Sequence, residues 1–202
     1  MGLVEGTRNK LQKSGVPMTG EEYASLLLAF SITIPLSIAF IASLVLIILG
    51  TNLLMLVPYF TIIFVILFSI IFMAGYLYPG MRTSDIKKNI MNNLPFATIY
   101  LTTLSGSGMN PVQMFKILSH FEEFGEVSKE ARRIVRDIEM LGLDVATAME
   151  KAAERTPSSQ MRELMWGIRS TITTGGDLNN FLMEKSRSYM ADYRRFLDKF
   201  VD

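Results

Sequence analysis

Residues 23–81 contain no Asp, Glu, Lys, Arg or His, and Leu, Ile, Phe, Val and Met predominate. A helix needs roughly 20 predominantly apolar residues to cross a hydrocarbon core about 30 Å thick. This stretch is long enough to cross twice if it folds back at a polar break, and Gly50, Thr51 and Asn52 supply one. The expected spans are residues 25–49 and 53–78. Both exceed the apolar part of a secretory signal, about 7 to 15 residues, and neither has the polar face of a surface helix.

Arg8, Lys10 and Lys13 precede the first span, Arg82, Lys87 and Lys88 follow the second, and the connecting turn is uncharged. Basic residues stay on the cytoplasmic side, so both termini are expected there and the chain is expected to be multi-pass. Tyr23, Tyr59, Tyr76 and Tyr78 lie near the expected interfaces, where a ring can sit in lipid while its hydroxyl stays wet. Thr19 and Glu22 have the spacing of a capping box, placing the first helix start below the bilayer. The expected organisation is a cytoplasmic arm over residues 1–22, a transmembrane hairpin over 23–81 and a cytoplasmic helical domain over 82–202.

Within the first span Pro35 removes an amide and frees the Ser31 carbonyl, which predicts a kink. Ala29, Thr33 and Ser37 recur every four residues and make a small face for another helix. With no ionisable group in either span, a proton relay, an ion pathway and an intramembrane aspartyl protease find no residues.

About 120 of the 202 residues follow the hairpin, enough for one domain with its own core. Twenty basic and 19 acidic residues leave a formal charge of +1, which argues against a nucleic-acid partner. Cysteine is absent, which removes disulfides, thiolate metal sites and cysteine nucleophiles together.

After residue 81 the periodicity is helical throughout, with about six segments. Ile86, Ile90, Leu94, Ala97 and Leu101 form one stripe across Pro95, as one kinked helix or two. Asn110 and Pro111 start a helix to about Phe121. Residues 127–141 carry Val127, Ala131, Ile134, Val135, Ile138 and Leu141 on one face. Asp144 caps a helix to Arg155, Thr156 and Pro157 start the next, and Asp177 caps the last. That final helix has no stop signal before Asp202, so the natural polypeptide is expected to continue. The fold class is all-α: a two-helix transmembrane hairpin followed by a cytoplasmic bundle of about six helices.

Three segments share a plan of glycine turn, Asn or Asp cap and apolar helix: GMNPVQMFKIL from Gly108, GLDVATAMEKA from Gly142 and GGDLNNFLMEK from Gly175. These, with NNLPFATIYLTTLSGSG, RRIVRDIEMLGLDVATAMEKAAERTPS and GIRSTITTGGD after the charge-free hairpin, resemble the type II secretion system F family. Its members are inner-membrane platform proteins of secretion, type IV pilus and archaellum machines, and the wording is nearest the archaeal branch. The resemblance implies a cytoplasmic-membrane protein without enzymatic activity or cofactor. It also implies a secretion ATPase, pilin-like subunits and further copies of the chain as partners. Family members are usually longer, with two such cytoplasmic domains, which agrees with a half-length or shortened chain here.

Lys129, Arg132, Arg133 and Arg136 fall together on one helix, with Glu126, Glu130, Asp137 and Glu139 close by. They read either as a solvated face laced with salt bridges or, on the resemblance, as the surface that receives the ATPase. Trp166 sits about 100° from the stripe of Met161, Leu164, Met165, Ile168 and Ile172, near Arg162. It is either covered by a second neighbour or is, with Arg162, an interface anchor. His120 has no second ligand or nucleophile placed for it and reads as a surface residue. No GxxxxGK motif or catalytic constellation is present, so a membrane-anchored hydrolase finds no support. A membrane-anchored helical adaptor or receptor for another soluble partner is the alternative that composition leaves open.

Overall fold

The computed structural model describes residues 20–48 and 53–198. Residues 1–19 of the expected arm, with the cap at Thr19, and the break at residues 50–52 lie outside them, while residues 20–22 already belong to the first helix. Among the described residues there are seven α-helices and one 3-10 turn, and no strand. They fall into two compact units, one ending at Thr83 and one beginning at Ser84.

The first unit holds α1 (Gly20–Ile48) and the apolar part of α2 (Leu53–Gly106). Both helices are long and apolar enough to cross a membrane. Their large side chains, among them Phe30, Phe40, Ile62 and Ile70, are exposed instead of forming a soluble core. Ser31, Pro35 and Ala39 form the buried side of α1. Phe60, Phe64, Phe68 and Phe72 stack along α2 with centroids 6.5, 6.1 and 5.9 Å apart, the i, i+4 neighbours of a helix surface.

Instead of ending near residue 78, α2 runs unbroken through Pro79 and Pro95 to Gly106. A proline withholds one amide from the carbonyl four residues back, and a helix tolerates it where that carbonyl finds another donor. Gly75 does so: the Tyr23 hydroxyl donates to its carbonyl at 2.8 Å. The segment around Pro95 is also one helix with the expected stripe, and Ile90, Leu94, Ala97 and Leu101 are all in the core.

In the second unit that stripe meets α3 (Pro111–Leu118), α4 (Glu126–Glu139), α5 (Val145–Arg155), α6 (Ser159–Thr174) and α7 (Leu178–Asp198). A 3-10 turn, Glu122–Phe124, joins α3 to α4. Capping chemistry sets most starts. Asn110 accepts from the Gln113 amide at 2.9 Å, Asp144 from Thr147 at 3.0 Å and Asp177 from Asn180 at 3.0 Å. The α6 start falls after Pro157 because Ser158, not Thr156, is the cap. Gly142 and Gly175 hold positive φ, 67° and 70°, at the ends of α4 and α6, which only glycine adopts without strain.

Phe115, Ile134, Met149, Leu164, Met165, Ile168 and Leu182 fill the centre, each fully buried and stabilising by about 1.5 to 3 kcal/mol. Tyr189 is buried too, its hydroxyl donating to the Gln160 carbonyl at 2.9 Å. Ile138 is only partly buried and Leu141 is exposed, because α4 ends at Glu139 and the face does not extend to residue 141.

Candidate partner surface

Helix α4 is the most strongly amphipathic part of the second unit. Its inward side holds Val127, Ala131, Ile134 and Val135 together with two acids, Glu130 and Asp137, only 5% and 2% exposed. Seven residues apart on a helix is nearly two full turns, so both carboxylates line up on one side. Between them comes Arg155, the last residue of α5. It bonds Glu130 through Nε and Asp137 through Nη1 at 2.6 Å. Arg133 adds a bond to Glu130 at 3.1 Å and Arg136 one to Asp137 at 3.1 Å.

This cluster ties α4 to α5. Burial would raise the Asp137 carboxyl, but hydrogen bonds and charge from Arg155, then Arg136, outweigh it and hold the group below its usual range. Burial likewise opposes the Arg155 charge, and Glu130 and Asp137 more than offset that, raising the guanidinium's proton affinity. With both carboxylates bound by arginine, neither is placed as a free general acid or base. Among the described residues no three His, Asp or Glu side chains gather where they could hold a metal ion.

The four basic residues singled out in the sequence share the outer side of α4, each with a bond. Lys129 pairs with Glu126 at 2.6 Å and Arg132 donates to the Ser119 carbonyl at 3.1 Å, a cation at the end of α3. Because Glu130 and Asp137 lie underneath, what faces solvent is mainly guanidinium and ammonium. Lys129 and Arg136 side chains are 60% and 56% exposed. Exposed His120 has its Nδ1 2.7 Å from the Lys116 carbonyl, and Lys116 bridges to Glu139 at 2.7 Å.

Trp166 lies elsewhere on the unit, on α6, and is 38% exposed, so the reading in which a second neighbour covers it does not hold. Arg169, one turn on, sits over its ring at 5.2 Å. Arg162 instead donates to the Ala153 and Thr156 carbonyls at 3.2 and 3.0 Å, fastening α6 to the end of α5. Trp166, Arg162, Gly167, Phe181 and Lys185 line a shallow groove of about 490 Å³. A Cβ at Gly167 would run into the Phe181 ring, so the missing side chain is what lets that ring lie against α6.

On α1, Ala29, Thr33 and Ser37 are exposed, two positions away from the buried Ser31, Pro35 and Ala39, which is the opposite side of a helix. Thr33 and Ser37 hydroxyls donate within the helix, to Ala29 and Ile34 carbonyls at 2.8 Å each.

Compared with known proteins, residues 97–201 match the family described as type II secretion system protein F, just over half of the chain. The chain belongs to that family. Flagella accessory protein J of Methanocaldococcus jannaschii is 30% identical over 164 residues, 81% of this chain and 29% of that protein. Its namesake in Methanococcus voltae is 25% identical over 123 residues, 60% of this chain and 22% of its own length. An uncharacterized M. jannaschii protein is 30% identical over 123 residues, covering 61% of this chain and 21% of its own. The chain thus matches less than a third of the length of each of these relatives. No solved structure matches it.

Proposed function

We propose that this chain is a non-enzymatic platform in the cytoplasmic membrane, on which a secretion-type ATPase acts to drive assembly or export of pilin-like subunits. One observation carries the reading. The family match begins inside the helix that also carries the second apolar, charge-free stretch, so one chain joins a membrane hairpin to a secretion-family bundle. The name of the two archaeal relatives, flagella accessory protein, points towards filament machinery. Residues 1–22 serve as an arm, 23–81 as the membrane hairpin and 82–202 as the ATPase-facing domain, with both termini cytoplasmic. The outer side of α4 is the docking surface: its cations face outward over buried acids, suited to an acidic partner surface.

Co-purification of the full chain from membranes with the ATPase encoded beside it tests the reading. Retention through a detergent wash supports it. Loss of the ATPase, with a different soluble protein retained in stoichiometric amount, favours the adaptor or receptor reading instead.

A further inference from the structure

The hydrogen bond between Tyr23 and Gly75 has a cause in the sequence. Pro79 has no amide hydrogen, so the carbonyl four residues earlier, that of Gly75, is left without its helical donor. The Tyr23 hydroxyl of α1 supplies that donor at 2.8 Å. The glycine makes the reach possible. Gly75 has no side chain, and a Cβ there would stand 2.8 Å from Cδ1 of Leu27, one turn along α1 from Tyr23. Helix α1 therefore approaches α2 closely at this point. Tyr23 differs in this from Tyr76 and Tyr78, which are exposed.

The turn so served is a weak one. Pro79 and Gly80, the two poorest helix formers, stand side by side, and the Thr83 hydroxyl bonds back to the Pro79 carbonyl at 2.7 Å. We propose that residues 75–80 are a hinge in α2 and that the Tyr23 hydroxyl is its latch. With the bond made, the turn is held helical. With it broken, the Gly75 carbonyl has no donor and the turn is free to bend. Kinks at proline arise in this way, where the ladder of helical bonds is already interrupted.

The chain has no cysteine, so single introduced ones carry a nitroxide cleanly. Leu77→Cys reports on the turn and Ile66→Cys on α2 upstream, both at exposed positions. In full-length protein in nanodiscs, Tyr23→Phe should at least double the label's mobility at 77 and leave 66 unchanged. Adding Pro79→Ala gives the Gly75 carbonyl a backbone donor and should return the label at 77 to its wild-type mobility. Pro79→Ala alone should be no more mobile there than wild type. The latch is overturned by unchanged mobility at 77 in Tyr23→Phe, by an equal rise at 66, or by a rise at 77 that persists with Pro79→Ala.

Discussion

Arg155 Nη1 stands 2.6 Å from Asp137 Oδ2, joining the last residue of α5 to a carboxylate that is 2% exposed on α4. With Glu130 on its other side, one guanidinium bridges two buried acids, each of which also pairs with an arginine of α4. Removing one partner of a buried pair typically costs about 3 to 5 kcal/mol, because the charge left behind has lost its counter-ion. Arg155→Ala should destabilise the protein by up to about that much, because Arg133 and Arg136 still serve one acid each. Arg155→Lys should recover part of it, since an ammonium cannot serve both acids in the same planar geometry. Denaturation in detergent, followed by far-ultraviolet circular dichroism, measures both, and a loss below about 1 kcal/mol for Arg155→Ala would contradict the role given to the cluster.

The same cluster sets an acid limit. Arg155 and Arg136 hold the Asp137 carboxyl below the ordinary aspartate value of about 3.9, so its stabilising contribution is fully present above that ordinary value. It fades as pH falls through the lower folded value. Asp144, held low chiefly by its hydrogen bond to Thr147, acts in the same direction. Asp137→Asn should be less stable than wild type at pH 7, with the gap narrowing as pH drops below about 4. Melting temperatures taken across pH 2 to 7 read the gap directly.

For the outer side of α4, the pairings decide which variants are informative. Arg133→Glu and Arg136→Glu would set a negative charge against Glu130 and Asp137, so the triple change of Arg132, Arg133 and Arg136 would test folding as much as docking. Lys129→Glu with Arg132→Glu leaves the buried acids served. Each exposed charge contributes about 0.2 to 1 kcal/mol, so the pair should weaken ATPase binding by about two- to thirtyfold and flatten its salt dependence. Titration at low and high salt with matching curves for variant and wild type would return the choice of surface to the Trp166 groove.

Gly167→Ala should cost about 1 to 3 kcal/mol, the range for forcing extra atoms into a packed site, because the new methyl meets Phe181. Phe181→Leu should relieve much of that in the double variant. A thermal-melt cycle of the four proteins tests the contact, and strictly additive shifts would deny it.

Cysteines placed at Met1 and Asp202 should resist an impermeant thiol reagent in intact cells and react after permeabilisation, as expected for two cytoplasmic ends. Labelling of either in intact cells would overturn that topology.

The elements were legible where local chemistry decides them: the charge-free stretch, the caps at Asn110, Asp144 and Asp177, and the stripe through Ile90 and Leu101. What stayed hidden depends on a distant residue. Pro79 looks like a stop from its neighbours alone, and it takes Tyr23, 52 positions before Gly75, to supply the missing donor. Arg155 gives no sign that it reaches Glu130, although the seven-residue spacing of Glu130 and Asp137 was the available clue. The buried side of α1 was missed for another reason: a span apolar all round carries no moment to say which side is inward. Trp166 was ambiguous because a bundle helix can be covered on one side or two, and only the packing decides.

The start of α4 also depends on a distant residue. Asn89 Oδ1 accepts the Glu126 amide at 2.8 Å, and a Cβ on Gly125 would stand 2.5 Å from that oxygen. A residue on α2 thus does for α4 what Asn110 does for α3 from next door. Anyone exchanging α4 between relatives would be moving a helix without its first ligand. Such a hybrid should keep its start only if position 89 travels with positions 125 and 126, although 37 residues separate Asn89 from Glu126 along the chain.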